Sequence, residues 1–306
     1  MSKKIIFMGT PKFAVQFLEI LNRNNFNIVS VYTQSPKKSH RGLKTLKSPV
    51  HLNAEKMGLT VRTPHTLNNN SDEYEYIKKL SADLAFVVAY GQIIPKKFLH
   101  LTKKGFINLH TSILPYYRGA APIQRAIMNL ETETGISLFK INEKLDEGPV
   151  CKSYKLKIDQ EDNYNQLIEK LSILASKNII KDIKCILNDE LEFKEQDHSK
   201  ATYANKVLKE ETKIDWNNSA KKIIANINGL NGSYFLYEKN RFKILKAAFT
   251  DLNSEPGLVV NDKLTIACGK GSIKVLEIQK EGKKPQNIKE FLLGSQIKKG
   301  CLLKNE

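Results

Sequence analysis

The sequence predicts an α/β protein in two parts: a Rossmann-like domain with a mostly parallel sheet, followed by a small OB-like β-barrel domain. In the first half of the chain, short apolar runs alternate with segments of helical periodicity, which favours strands and helices in βαβ order. Near the C-terminus, short β-branched and aromatic runs are separated by Asn, Asp and Gly, which is typical of a small barrel. The 306 residues are enough for two domains of ordinary size.

The first predicted strand, Ile5–Met8, ends at Gly9-Thr10-Pro11, where Thr10 can cap the following helix and Pro11 suits its first turn. Later apolar runs predict four more strands, at Ile28–Tyr32, Leu84–Ala89, Phe106–Leu109 and Ile136–Ile141. Helical periodicity and capping residues predict helices at Pro49–Met57, Asp72–Leu80, Pro122–Leu130 and from Tyr164 onward.

The pattern changes in the polar stretch 188–212, which has few apolar periods. We therefore predict a first domain over residues 1–190, a linker over 191–209 and a second domain over 210–306. A helix is expected at Asn217–Asn228. The barrel strands are expected at Tyr234–Tyr237, Phe242–Ala248, Gly257–Val260, Leu264–Cys268 and Ile273–Ile278.

Composition narrows the classes of function. Lys and Arg total 49 against 32 for Asp and Glu, a formal net charge of +17, which favours a polyanionic partner such as nucleic acid. A generally basic proteome is the alternative explanation. The four cysteines form no CxxC pair, which indicates reduced thiols and no zinc site. No apolar stretch approaches the roughly 18 residues of a membrane span, and the N-terminus does not resemble a signal peptide, so we expect a cytoplasmic protein.

Two segments carry candidate catalytic residues. Asn108 and His110 lie two residues apart at the end of a predicted strand, which puts both side chains on one face. An amide donor beside a titratable imidazole suits acyl transfer, since one can stabilise an oxyanion while the other handles a proton. Asp146 lies in the segment Asp146-Glu147-Gly148, after the next predicted strand. It belongs to this site if adjacent parallel strands bring it close to His110.

The turn Gly9-Thr10-Pro11 lacks the glycines of a dinucleotide-binding site.

A basic segment follows the second predicted strand. No acidic residue lies between Glu19 and Glu55, and the connection is long for a βα loop, where about 2–6 residues are typical. A solvated surface loop is the plain interpretation, and a phosphate-binding loop beside the active site is the alternative. The candidate RNA contacts are Lys37, Lys38, Arg41, Lys44 and Lys47.

Five motifs together resemble the methionyl-tRNA formyltransferases, in one order over nearly the whole chain. They are FMGTPKFA at Phe7–Ala14, AYGQIIP at Ala89–Pro95, NLHTSILPYYRGAAPIQ at Asn108–Gln124, LDEG at Leu145–Gly148 and IDW at Ile214–Trp216. The combination is specific for folate-dependent formyl transfer. It is less specific for the acceptor, because glycinamide ribonucleotide and nucleotide-sugar formyltransferases share the Asn, His and Asp set.

The resemblance implies a formyltransferase fold and a role for each matching residue. Asn108 and His110 would hold the formyl oxygen, and Asp146 would assist proton movement from the attacking ammonium. The pocket for the donor, 10-formyltetrahydrofolate, would be formed by Ala89, Tyr90, Gly91, Ser112, Ile113, Leu114 and Pro115. The acceptor would be methionyl-initiator-tRNA, with Arg41 matching the arginine of the family's acceptor-stem loop. The protein is expected to be monomeric and to need no metal.

Two other functions stay open at this stage. A formyltransferase acting on a small amine, such as an amino-sugar nucleotide, would share the catalytic residues. Its substrate would not require a long basic loop that binds a phosphate backbone. A catalytically silent RNA-binding protein would explain the charge but not the intact Asn108, His110 and Asp146. A nicotinamide dehydrogenase is a more distant alternative, since the required glycines are missing.

Overall fold

A computed structural model describes residues 3–38, 45–294 and 297–304 of the protein. The chain order in the first half is β1 (Lys4–Gly9), α1 (Lys12–Arg23), β2 (Asn27–Tyr32), β3 (Lys37–Lys38), β4 (Thr45–Leu46), α2 (Pro49–Lys56), β5 (Val61–Arg62), α3 (Ser71–Leu80), β6 (Leu84–Val88), β7 (Phe106–His110), α4 (Pro122–Met128), β8 (Glu133–Lys140), β9 (Val150–Lys157) and α5 (Tyr164–Leu187). Seven of these strands form one sheet in the order β5-β2-β1-β6-β7-β8-β9.

The central strands pair in parallel, as predicted. β1 lies between β2 and β6, and β6 pairs with β7, all in parallel register. All five residues of β6 are buried, as expected for a strand covered by helices on both faces. Because the carboxyl ends of parallel strands meet at one edge of the sheet, the segments after β1, β6 and β7 come together there.

The second half contains α6 (Ala220–Gly229), β10 (Ser233–Tyr237), β11 (Asn240–Thr250), β12 (Val259–Asn261), β13 (Thr265–Ala267), β14 (Ser272–Lys280), β15 (Gln286–Asn287) and α7 (Ile288–Leu292). The strands form an antiparallel sheet in the order β10-β11-β14-β13-β12, with β15 added beside β14. Trp216, 1% exposed, and Phe235 pack in its core. The predicted fold class, a mostly parallel sheet followed by a small antiparallel domain, is confirmed.

The two compact units of the chain are not continuous in sequence. One unit contains the residues through Gly119, then Gly135–Leu156 and Glu169–Tyr203, and the other contains Ala120–Thr134, Lys157–Ile168 and the residues from Ala204 onward. Within the second unit α4 packs on α6, where a Cβ on Gly229 would lie only 2.9 Å from Met128 Cγ. The first half of the sequence therefore supplies part of the second unit. The sequence boundaries at residues 190 and 210 stay predictions.

Hydrogen bonds fix the backbone of part of the predicted linker, residues 191–209. Lys194 exchanges both backbone hydrogen bonds with Val150, at 2.8 and 2.9 Å. Gln196 is buried, and Thr202 contacts the segment after β7 through its backbone and its hydroxyl. By contrast, most residues of 205–210 are exposed. The polar composition of 191–204 thus reflects hydrogen bonding and burial as well as solvation.

We expect limited tryptic digestion to cleave first at Lys206 or Lys209. Proteolysis requires local unfolding, and cleavage at Lys194 requires its two backbone hydrogen bonds with Val150 to break. Among the described residues, the carbonyls of Lys206 and Lys209 accept only from the Arg125 side chain and from Thr212, three positions after Lys209. Mass spectrometry of early fragments checks the expectation. First cleavage at Lys194, or within residues 80–150, would contradict it.

Of the described helices, none is long and apolar enough to cross a membrane.

Candidate active site

His110 is buried at the end of β7 and its ring is fixed by two neighbours. Its Nε2 lies 2.9 Å from the carbonyl oxygen of Tyr117. Because a carbonyl can only accept, Nε2 carries a proton in this arrangement. The edge of the ring packs on Phe139 of β8, with centroids 6.3 Å apart. The second ring nitrogen, Nδ1, can therefore accept or donate a proton in the site.

Asp146 supplies the group that faces Nδ1. Its Oδ2 lies 3.7 Å from His110 Nδ1 and accepts a hydrogen bond from the Gly119 N–H at 2.8 Å. The backbone of Asp146 is left-handed, with φ +51°, which is uncommon for a residue with a side chain. Asn108 lies on β7, half-buried, on the same face as His110. The three predicted catalytic residues therefore come together at one end of the sheet.

The route that brings Asp146 to His110 differs from the expected one. β7 and β8 pair antiparallel, with Leu109 opposite Leu138, so Asp146 follows the far end of β8. The expectation of adjacent parallel strands was wrong. Instead, residues 141–149 form a loop whose ends close on each other, because Lys140 N–H donates to the Pro149 carbonyl at 2.9 Å. This loop carries the Asp146 carboxylate back to His110.

Gln196, from the predicted linker, holds that loop in place. Its Nε2 donates to the carbonyl oxygens of Asp146 and Gly148, at 2.8 and 2.7 Å. Its Oε1 accepts from Arg118 Nε and Nη2, at 3.1 and 2.9 Å. The side chain is 7% exposed, and all four of its hydrogen-bonding positions are used. Sequence analysis missed Gln196, since a polar residue in a polar stretch gives no periodic signal.

Arg118 is the buried charge behind the loop. It is 1% exposed, and its Nη1 lies 3.4 Å from Glu147 Oε1. Its Nη2 also donates to His198 Nδ1 at 3.0 Å. A buried guanidinium is tolerated only when its donors are satisfied, and here the partners include a residue next to Asp146. The motif around residue 118 was recognised in the sequence, but this role was not.

The predicted folate segment Ala89-Tyr90-Gly91 lies at the same edge of the sheet. Ala89 and Gly91 have left-handed backbones, with φ +48° and +80°. Thr10 Oγ1 donates to the Tyr90 carbonyl at 2.8 Å, and Gln34 Nε2 donates to the Gly91 carbonyl at 2.9 Å. The expectation that Thr10 caps α1 was wrong: Pro11 occupies the N-cap position, and the Thr10 hydroxyl turns to the neighbouring loop.

The Tyr90 ring is buried beneath this segment, and burial raises the pKa of its hydroxyl. Among the described residues that hydroxyl has no hydrogen-bond partner.

The other predicted folate residues, Ser112 to Pro115, follow β7. Ser112 Oγ donates to the Tyr116 carbonyl at 2.6 Å, and the residue is 1% exposed. Leu114 is also buried, and its N–H donates to Ser137 Oγ at 3.0 Å. Ile113 and Pro115 are half-buried. The hydroxyl of Ser112 is therefore already engaged, and surface is offered mainly by Ile113 and Pro115.

The basic segment is described only at its two ends. β3, with Lys37 and Lys38, pairs antiparallel with β4. Arg41 and Lys44 lie outside the described residues. Lys47 Nζ donates to both carboxylate oxygens of Glu55, at 2.6 and 2.9 Å, and this hydrogen bond is the main cause of a lowered Glu55 pKa. Over residues 3–38, 45–294 and 297–304, His, Cys, Asp and Glu form no group of three that could hold a metal ion.

Comparison with known proteins gives matches over both halves of the chain. The family profile described as formyl transferase matches residues 3–183, and the profile of the formyl transferase C-terminal domain matches residues 206–296. A methionyl-tRNA formyltransferase from Pelagibacter ubique is 56% identical over 309 aligned residues, covering 100% of both chains. One from Brucella anthropi is 38% identical, covering 97% of this chain and 99% of its own.

Solved structures with the same fold include other N-formyltransferases. The N-formyltransferase from Helicobacter canadensis, in complex with folinic acid and dTDP-3-aminofucose, has a TM-score of 0.67 at 23% identity, covering 90% of this chain and 99% of its own. HypX from Aquifex aeolicus, in complex with tetrahydrofolic acid, has a TM-score of 0.66 at 12% identity, covering 96% of this chain and 48% of its own. These likenesses support the fold, and the full-length relatives identify the family. The chain belongs to the methionyl-tRNA formyltransferase family.

Proposed function

We propose that the protein transfers the formyl group of 10-formyltetrahydrofolate to the amino group of methionyl-initiator-tRNA, giving N-formylmethionyl-tRNA for translation initiation. The observation that carries this proposal is the 56% identity to a methionyl-tRNA formyltransferase over the full length of both chains. The arrangement of Asn108, His110 and Asp146 supplies the chemistry that formyl transfer needs. The reaction belongs with cytoplasmic translation, and we propose a monomeric enzyme.

In the proposed reaction, the methionyl amine attacks the formyl carbon and forms a new C–N bond. The formyl oxygen takes up negative charge in the tetrahedral intermediate, and the Asn108 amide stabilises it by donating a hydrogen bond. Once Asp146 has passed the proton of the amine to His110, the Nδ1–H can donate a second hydrogen bond to this oxygen. The C–N bond to the folate nitrogen then breaks, and the electron pair returns to that nitrogen, which takes up the proton carried by His110.

Asp146 accepts the proton that the amine nitrogen must lose once its attack on the formyl carbon has made it cationic. Its Oδ2 lies 3.7 Å from His110 Nδ1, so a proton accepted by the carboxylate can be passed to the imidazole, directly or through water. Tyr117 and Gly119 hold the two groups by backbone contacts. The side chains therefore need little rearrangement as charge develops.

The proposed donor pocket combines the segment Ala89–Gly91 with Ser112–Pro115. The hydrogen bonds from Thr10 and Gln34 fix the backbone of the first segment. In the second, Ile113 and Pro115 offer apolar surface for the flat rings of a reduced folate. These contacts are proposals, and binding of a non-reactive folate to single-residue variants tests them.

A small-amine formyltransferase is the second candidate, because the Helicobacter canadensis structure, solved with dTDP-3-aminofucose, shares the fold. The net charge of +17 and the basic segment favour a polyanionic acceptor over a nucleotide sugar. Tetrahydrofolate release with each acceptor decides between the two. We expect release with methionyl-tRNA, and release only with the amino-sugar nucleotide would contradict the proposal.

The basic segment is proposed to bind the acceptor arm through Lys37, Lys38, Arg41, Lys44 and Lys47. We expect replacement of Lys37, Lys38 and Lys44 by Ala to weaken tRNA binding. It should also flatten the salt dependence of binding, by about 0.7–0.9 in log–log slope for each lost phosphate contact. Arg41→Ala should reduce formylation of the initiator more than general tRNA binding, since a guanidinium can fork onto phosphate or base groups.

Titration of tRNA binding against salt concentration measures the slope, and kcat/KM with charged initiator tRNA measures the Arg41 effect. Folate affinity is the control and should not change. An unchanged slope in the triple variant, or wild-type kcat/KM in Arg41→Ala, would contradict the proposed RNA contacts and indicate a solvated loop.

A further inference from the structure

The chemistry of the proposed acceptor sets where its RNA must lie. The reacting amine belongs to an amino acid esterified to the 3′-terminal ribose. When that amine lies beside Asp146 and His110, the terminal nucleotides of the tRNA must contact the protein surface next to these two residues. The 3′ end of tRNA is unpaired, so its bases are free to stack on protein side chains.

Two exposed tyrosines, Tyr116 and Tyr203, are candidates for such stacking. Tyr116 is 44% exposed and Tyr203 is 54% exposed, so part of each side chain is open to a ligand. Tyr116 immediately precedes Tyr117, whose carbonyl oxygen receives the hydrogen bond from His110 Nε2. Tyr116 is therefore the chain neighbour of the residue that is hydrogen-bonded to the His110 imidazole.

Tyr203 is brought to the same surface by backbone pairing. The N–H of Thr202 donates to the Pro115 carbonyl at 3.3 Å, and the N–H of Arg118 donates to the Thr202 carbonyl at 2.9 Å. A parallel bridge places Arg118 opposite Tyr203. Two short segments, one after β7 and one within the predicted linker 191–209, thus form a small ladder with an exposed tyrosine on each.

Positive charge accompanies the aromatic rings. The Lys200 side chain is 63% exposed and lies three residues before Tyr203 in the sequence. Asp197 pairs with this lysine at 3.1 Å and is itself half exposed, so the pair sits in solvent and can rearrange. Exposed aromatic faces beside a cation are the combination that binds unpaired nucleic acid without reading its sequence.

We propose that Tyr116 and Tyr203 form a stacking platform for the unpaired 3′-terminal nucleotides of the acceptor tRNA. The proposal rests on the proposed function, since it requires an RNA acceptor. The platform holds the terminal bases beside the loop of residues 141–149 and so presents the esterified amino acid to Asp146. Stacking accepts any base, which suits an end whose recognition need not depend on sequence.

The test uses initiator tRNA with 2-aminopurine in place of its terminal adenine, because stacking on an aromatic ring quenches this fluorophore. Binding to the wild-type enzyme is expected to quench the fluorescence. Tyr116→Ala and Tyr203→Ala should each reduce the quenching and lower kcat/KM for methionyl-tRNA by about 5- to 100-fold. Tyr116→Phe and Tyr203→Phe should keep both properties, because stacking needs the ring and not the hydroxyl.

Phe249→Ala is the matched control, since Phe249 is an equally exposed aromatic (43%) on β11. It should leave the quenching of the terminal base unchanged. Folate binding should be unchanged in every variant, which excludes misfolding as the cause of a loss. Wild-type quenching and kcat/KM in both alanine variants would overturn the platform while leaving the proposed function intact. Failure of the wild-type enzyme to formylate methionyl-tRNA would overturn the proposed function itself.

Discussion

His110→Ala is expected to lower kcat by about 10²-fold or more, because it removes the group that receives the proton from Asp146 and passes it to the leaving folate nitrogen. Asp146→Ala should have an effect of similar size. Folate binding should largely survive in both variants, because the proposed pocket for the folate rings is formed by residues 89–91 and 112–115. Single-turnover formylation with saturating methionyl-tRNA measures the chemical step separately from binding.

Asp146→Asn separates the charge of the carboxylate from its position. An amide oxygen can still accept the hydrogen bond from Gly119 N–H, which is 2.8 Å from Oδ2 in the native site. We expect this variant to fold normally and to remain as inactive as Asp146→Ala. Near-normal turnover in His110→Ala, or in Asp146→Asn, would rule out the proposed proton transfer.

Gln196→Leu is expected to damage both stability and catalysis. The substitution keeps the approximate size of the side chain but leaves the carbonyls of Asp146 and Gly148 and the guanidinium of Arg118 without this partner. Buried polar groups that lose their hydrogen bonds cost about 1–3 kcal/mol each, so we expect a loss of roughly 3 kcal/mol in the free energy of unfolding. We also expect a lower kcat, because the loop that positions Asp146 is released.

Two further variants show which contact of Gln196 matters. Gln196→Glu keeps an acceptor for Arg118 but cannot donate to the two carbonyls, so its kcat should fall even if its stability is preserved. Gln160→Leu, at an exposed glutamine of the other compact unit, is the control and should change neither property. Denaturant unfolding and kcat are the measurements. Wild-type kcat in both Gln196 variants would show that the loop holds its position without this side chain.

The local pattern of the sequence predicted that Asn108 and His110 share one face of β7, because this follows from strand periodicity. Both alternate with the apolar residues Ile107 and Leu109 along the strand. Their catalytic role stays a prediction. The apolar runs likewise predicted the strands of the parallel sheet, since each is short, buried and bounded by turn residues.

The contacts that complete the site depend on long-range packing and were not predictable from local pattern. Gln196 reaches Asp146 across 50 positions of the chain, and its neighbours in sequence are polar and mostly exposed. The antiparallel pairing of β7 with β8 could not be read from two apolar runs either, because apolar runs carry no direction. Periodicity also predicted α4 but not that it packs with α6, since a helix face does not identify its partner.

Formyl transfer to methionyl-initiator-tRNA is tested most directly by following a label in the formyl group. The enzyme is incubated with 10-formyltetrahydrofolate labelled in the formyl carbon and with methionyl-initiator-tRNA or methionyl-elongator-tRNA. The amino acid is then released from the tRNA by mild base. We expect labelled N-formylmethionine from the initiator reaction, and less or none from the elongator reaction. Absence of labelled N-formylmethionine from both reactions, when the same enzyme releases tetrahydrofolate with an amino-sugar nucleotide, would contradict it.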